Sequence, residues 1–109
     1  MAEEKETQEK IAGLQIIEQG LQSFLLQKQS FQAQLIEIDS ALKELETSEE
    51  AYKIVGNIMV KSKKEDLVKD LKSRKEAFEL RIKTIEKQEE QLKEKASKTQ
   101  AEIMEKLKK

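Results

Sequence analysis

Stepping alternately three and four residues from Leu14 reaches Ile17, Leu21, Phe24, Lys28, Phe31, Leu35, Ile38, Leu42 and Leu45, and only Lys28 among them is not apolar. An apolar residue every 3.5 positions faces a partner continuously only when two helices wind around each other. Sustained over residues 14–45, the pattern commits this part of the chain to a coiled coil. Proline is absent from the 109 residues and glycine occurs three times, so little interrupts helix. The first helix is expected over residues 7–48, roughly 60 Å at 1.5 Å per residue.

A second seam runs through Val68, Leu71, Lys75, Phe78, Ile82, Ile85, Glu89, Leu92, Ala96, Thr99, Ile103 and Lys106, and thins after Leu92. Ser62-Lys63-Lys64-Glu65 has the pattern of a capping box ahead of it, which predicts a second helix over residues 63–109. The polar intruders Lys28, Lys75 and Glu89 are expected to set register at some cost in stability. If the arms fold back on each other, Lys28 comes near the level of Glu89, within reach of an ion pair. Residues 1–50 carry 4 Lys/Arg against 11 Asp/Glu, and residues 51–109 carry 17 against 11, although the whole chain has a net charge of only −1. Arms of opposite sign favour antiparallel pairing.

Between the seams lies AYKIVGNIMVKS, residues 51–62. Ile54, Val55, Ile58 and Val60 suit strands, and Gly56-Asn57 suits the two-residue turn that matches strand twist. Such a turn opposes Val55 with Ile58 and Ile54 with Met59. One face then holds Tyr52, Ile54, Met59 and Lys61; the other holds Ala51, Lys53, Val55, Ile58, Val60 and Ser62. A lone two-stranded hairpin is marginal in water, and one with two apolar faces and two open edges invites pairing with other chains. Tyr52, Ile54, Val55, Gly56, Asn57, Ile58, Met59 and Val60 are therefore expected to form an assembly device that joins hairpins of other subunits into a shared sheet or β-barrel. The expected fold is mainly α: a long antiparallel coiled-coil helical hairpin with one β-hairpin at its bend.

Several function classes fall away. With 39% charged, 37% hydrophobic and 4% aromatic residues, the chain has too little large apolar material for a compact globule. Cysteine and histidine are both absent, which removes disulfides, thiolate chemistry and the usual zinc or haem ligands. There is no glycine-rich phosphate loop, so no catalytic residue, metal or cofactor is expected, and the chain does not read as an enzyme. Its basic residues are interleaved with acids and lack aromatic partners, which argues against nucleic acid. No apolar run approaches the roughly 18 residues of a membrane span, and Met1–Lys10 is too acidic for a signal peptide. A cytoplasmic protein that does not engage membranes is expected.

At the arm ends, Ile11 and Ile16 lie off the first seam, beside Leu14, Ile17 and Leu21 on it; at the other terminus Met104 and Leu107 lie off the second seam, beside Ile103. Gly13 and Gly20 each weaken the first helix by roughly 1 kcal/mol relative to Ala. A loosely wound tip carrying Ile, Leu and Met would make an adaptable apolar grip. Ordinary end fraying with scattered exposed apolar residues is the plainer account, and Leu25, Leu26 and Ile36 lie off the seam in mid-arm as well.

Tyr52-Lys-Ile-Val-Gly-Asn-Ile-Met-Val-Lys61 resembles the hairpin of prefoldin, and within that family the archaeal β-type subunit. Glu79-Leu-Arg-Ile-Lys-Thr-Ile-Glu-Lys-Gln-Glu-Glu90 and, more weakly, Gln27-Lys-Gln29 with the apolar spacing through Leu45 extend the resemblance to residues 20–95. The α type carries two hairpins between its helices, and residues 49–62 have room for one. The resemblance implies a hexamer of two α-type and four β-type subunits, with the hairpins in a double β-barrel. It further implies ATP-independent holding of unfolded polypeptides at the arm tips and their delivery to a group II chaperonin. The alternative is a structural coiled-coil spacer, tether or filament-forming module assembled through the same hairpin.

Overall fold

The computed structural model describes residues 2–108. Helix α1 spans Ala2–Thr47, strands β1 and β2 span Ala51–Val55 and Ile58–Ser62, and helix α2 spans Lys64–Leu107. The fold is mainly helical, with a two-stranded antiparallel hairpin between two long helices. Packing divides the chain into two units. One holds the chain up to Lys28 and from Lys83 onward; the other is Gln29–Ile82.

In each unit α1 and α2 run antiparallel and meet along the expected seams. In the terminal unit Ile17, Ile85, Glu89 and Ile103 are buried, and Leu14, Leu21, Phe24 and Leu92 are half-buried. In the unit that carries the hairpin, Ile38, Ala51 and Ile82 are buried. There the Phe31 and Phe78 rings pack with centroids 5.6 Å apart, and the Arg81 guanidinium lies 5.7 Å from the Phe31 centroid. The buried positions on both helices are all seam positions, because there the side chains pack most closely against the other helix.

The polar seam residues find partners. Lys28 Nζ lies 2.7 Å from Glu89 Oε1, with side chains 20% and 10% exposed, and Lys75 Nζ lies 2.7 Å from Asp39 Oδ1. The Lys28–Glu89 pairing expected from register is thus formed. Asp39 holds the Lys75 ammonium above its ordinary pKa through their hydrogen bond.

Both helices start elsewhere than expected, and α1 ends at Thr47 and α2 at Leu107 rather than at 48 and 109. Helix α1 begins at Ala2, upstream of Thr7. Glu3 and Glu4 stand in its first turn, where carboxylates suit the positive end of the helix, and the Thr7 hydroxyl donates back to the Glu3 carbonyl at 2.9 Å. Helix α2 begins at Lys64, and its first turn closes from the Leu67 N–H to the Lys63 carbonyl at 3.1 Å. The cap position is therefore Lys63, because Ser62 is still paired with Ala51 in the sheet.

The seam pair generates a stability prediction. Lys28→Met leaves the Glu89 carboxylate shielded with no counter-charge and should lower unfolding free energy by about 2–3 kcal/mol. Adding Glu89→Leu should recover most of that loss. Urea titrations of the four proteins of this cycle at one protein concentration are the check; a double variant as weak as the single would show that the pair matters for more than charge burial.

Candidate functional site

Two surfaces remain open on this fold. The first is the hairpin. β1 and β2 pair as Ala51↔Ser62, Tyr52↔Lys61, Lys53↔Val60, Ile54↔Met59 and Val55↔Ile58, the register expected from a two-residue turn. Gly56 has φ +61° while Asn57 has negative φ, the pattern of a type II′ turn, and a side chain at position 56 would be strained there. Upstream, the Ser48 hydroxyl donates to the Glu50 carbonyl at 2.9 Å, and the Tyr52 hydroxyl donates to Glu50 Oε2 at 2.7 Å. That bond pushes the Tyr52 phenol above its ordinary pKa.

Apart from Ala51 and Ser62, every residue of both strands is exposed. Ile54, Ile58 and Met59 are 69%, 67% and 65% exposed, and Tyr52, Val55 and Val60 are open as well. Both faces of the hairpin therefore carry uncovered apolar side chains. Among the described residues the sheet has two strands, so both outer edges keep unpaired N–H and C=O groups. This arrangement can do one thing chemically: add strands and cover apolar faces.

The second surface is the end of the terminal unit. The eight residues expected to grip a client separate into two sets. Ile11, Ile16, Met104 and Leu107 are exposed. Ile17 and Ile103 are 7% and 8% exposed, and Leu14 and Leu21 are half-buried, because all four sit on the seam against the opposite helix. Only the first set presents a ready surface. Leu25, Leu26 and Ile36 are also exposed, so uncovered apolar residues are not confined to the helix ends.

Pairing at that end is also tighter than the thinning seam suggested. Lys10 Nζ lies 3.0 Å from Glu102 Oε2, and Lys106 pairs with Glu6. Lys106 holds the Glu6 carboxyl below its ordinary pKa through a hydrogen bond, Lys10 does the same to Glu102, and Glu6 in turn raises Lys106. The sequence reading missed Lys10, Glu6 and Glu102. A signal was present for Lys10: stepping back four from Leu14 lands on it, as a polar continuation of the seam. Among the described residues no cluster of carboxylates could hold a metal ion, and no helix is long and apolar enough to cross a membrane.

Comparison with known proteins places this geometry in context. A family model described as prefoldin subunit matches residues 8–109. The prefoldin beta subunit of Archaeoglobus fulgidus is 42% identical over 101 residues, covering 90% of this chain and 87% of that protein. The prefoldin beta subunit of Saccharolobus islandicus is 40% identical over 107 residues, covering 95% and 85%. Among solved structures, the prefoldin beta subunit from Thermococcus strain KS-1 superposes with a TM-score of 0.85 at 35% identity, covering 92% of this chain and 90% of that one.

The open hairpin faces yield the assembly test. Ile54 and Val60 lie on opposite faces, so Ile54→Lys with Val60→Lys places a charge on each. The double variant should keep its helical circular dichroism and lose its oligomeric size by light scattering. An oligomer of normal size would remove the hairpin from the assembly contact.

Proposed function

The chain belongs to the prefoldin family, with the archaeal β-type subunits, and we propose that it works as an ATP-independent holdase that keeps unfolded polypeptides from aggregating. Prefoldin subunits are non-enzymatic chaperone subunits that form hetero-oligomers with other prefoldin subunits. In this reading the partner is an α-type subunit, in a hexamer of two α-type and four β-type chains. The client is released to a group II chaperonin in the cytoplasm, and neither nucleic acid, membrane, metal nor cofactor takes part. The chain itself catalyses nothing.

The observation that carries the reading is the uncovered hairpin, apolar on both faces and open at both edges. A surface of that kind stays in solution only when other chains cover it, and family membership identifies those chains as further prefoldin subunits. Client holding draws on a second observation: Ile11, Ile16, Met104 and Leu107 stand exposed at the helix ends. Each offers a weak, shape-tolerant contact. Several subunits together would hold a chain through multivalency without any tight site. Met104 suits this role because its unbranched thioether side chain repacks against many shapes.

Replacing Ile11, Ile16, Met104 and Leu107 with serine together should leave assembly intact, since none of the four is buried. The variant complex should largely lose its ability to suppress light scattering by a client diluted from denaturant. Full protection by the serine variant would exclude these four as the grip. It would also favour the spacer or tether role for the helix ends.

A further inference from the structure

The two open edges of the hairpin are not alike. A two-residue turn makes Val55 and Ile58 the hydrogen-bonded pair that closes it, and hydrogen bonding alternates from there. Lys53 with Val60, and Ala51 with Ser62, therefore turn their backbone groups inward. Tyr52 and Ile54 on β1, and Met59 and Lys61 on β2, point theirs out from the sheet. These four side chains share one face, and the alternation carries that face on to Glu50 before β1 and Lys63 after β2. The β1 edge thus runs Glu50, Tyr52, Ile54, and the β2 edge runs Met59, Lys61, Lys63. One edge begins with an acid, and the other ends with two bases.

These charges are uncommitted within the chain. Glu49, Glu50, Lys61, Lys63 and Lys64 help to line one open hollow of about 510 Å³ at the base of the hairpin. Among the described residues, however, none of the five forms an ion pair. Glu50 is instead held in place from its own side, by the Tyr52 hydroxyl at its carboxylate and the Ser48 hydroxyl at its carbonyl. Glu50, Lys61 and Lys63 are all exposed. A positioned carboxylate on one edge and free ammonium groups on the other each find their opposite on another copy of the same hairpin.

We propose that a second copy of this chain adds to the hairpin in one sense only, the β1 edge of one copy against the β2 edge of the next, with Glu50 meeting Lys63 of that copy and Tyr52 lying beside its Lys61. This rests on the assembly reading above and supplies its direction. Other pairings offer similar backbone bonds but worse ends. Antiparallel pairing of two β1 edges sets Glu50 against the turn of its copy, and pairing of two β2 edges does the same to Lys63. Parallel pairing of like edges puts Glu50 beside Glu50, or Lys63 beside Lys63. Only the mixed antiparallel pairing sets opposite charges across the junction. Successive additions in that sense keep the chain ends of every hairpin on one side, and such head-to-tail contacts form a ring or barrel when the rotation closes. Exposed pairs are individually weak, so they select sense and register while the apolar faces supply affinity.

The test uses the full-length chain by itself, followed by sedimentation across protein concentration at low and high salt. Glu50→Lys sets lysine against lysine at the junction, and Lys63→Glu sets acid against acid. Each variant alone should need roughly fivefold more protein to assemble, a difference that high salt reduces. An equimolar mixture of the two should recover the midpoint of the unaltered chain, since each supplies the edge that the other lacks. Rescue between chains separates this contact from any effect confined within one chain. The chain has no cysteine, so Glu50→Cys and Lys63→Cys each give a single thiol that reports the sense of addition. Mixed under mild oxidation, the two cysteine variants should link to each other faster than either links to itself. Like-with-like linkage at an equal rate would overturn the proposal, as would a mixture of charge variants that assembles no better than its components. An unaltered chain that stays monomeric at every concentration would overturn it too. If an added α-type prefoldin subunit then yields a complex, the assembly reading stands and the second copy is the wrong occupant; a chain still monomeric defeats both.

Discussion

Everything in this structure depends on one stripe of side chains per helix. A two-helix coil has no interior beyond the line where the helices touch, so each seam residue is shielded by a few neighbours and none is enclosed from all sides. Among the described residues, Ile17, Ile38, Ile82, Ile85 and Ile103 are the large apolar residues shielded to 9% exposure or less, and all five lie on the seams. Stability is consequently distributed along the coil rather than concentrated in a core. Loss of one apolar layer weakens its own unit, and the remaining layers keep the register.

Charge acts on two scales here. The opposite signs of the two chain halves agree with antiparallel pairing, yet the specific contacts do not simply follow the bulk difference. Asp39–Lys75 and Glu6–Lys106 join an acid of α1 to a base of α2, whereas Lys28–Glu89 and Lys10–Glu102 have the reverse polarity. Two of the four lysines within residues 1–50 are thus committed to interhelical pairs. Position relative to the seam decides which charges meet, and long-range field contributes orientation at most. Lys28–Glu89 is the pair with a specifying role, since an unpartnered charge in that shielded place is penalised in any other register.

The hairpin obeys a different logic from the helices. Helices satisfy their own backbone hydrogen bonds and need only one covered face. A two-stranded sheet leaves both edges unsatisfied and, in this chain, both faces apolar. The helices bury an apolar stripe against each other, and the hairpin strands have no such covered face. The segment that cannot be satisfied within one chain is the one to which the proposed function gives the assembly contact, and the same proposal gives the exposed helix ends to clients.

How much of this was legible beforehand varies with how local the deciding physics is. The seams, the hairpin register and the Gly56-Asn57 turn follow from periods of 3.5 and 2 and from a residue that tolerates positive φ, all of which are written in short stretches of sequence. The Lys28–Glu89 pair was legible in part: counting back from the turn brings Lys28 within about a turn of Glu89's level, and the stagger of the two helices closes the rest. The helix starts were less so: Ser62 looks like a cap until its backbone is seen to be engaged with Ala51, and α1 extends to Ala2 partly through Glu6 and Lys10, whose partners lie near the opposite terminus. The candidate grip divides along the same line. That Ile11, Leu14, Ile16, Ile17, Leu21, Ile103, Met104 and Leu107 lie toward the helix ends is a matter of position in the chain. Which of them are open and which are pressed against the other helix depends on two helices meeting at particular angles and levels. Sequence by itself determined the two helices, the hairpin and its pairing, because each arises from near-neighbour geometry. Only the tertiary structure decided that Ile17 and Ile103 are hidden and that Lys10 and Lys106 tie the end shut, because burial and ion pairing belong to residues brought together from distant parts of the chain.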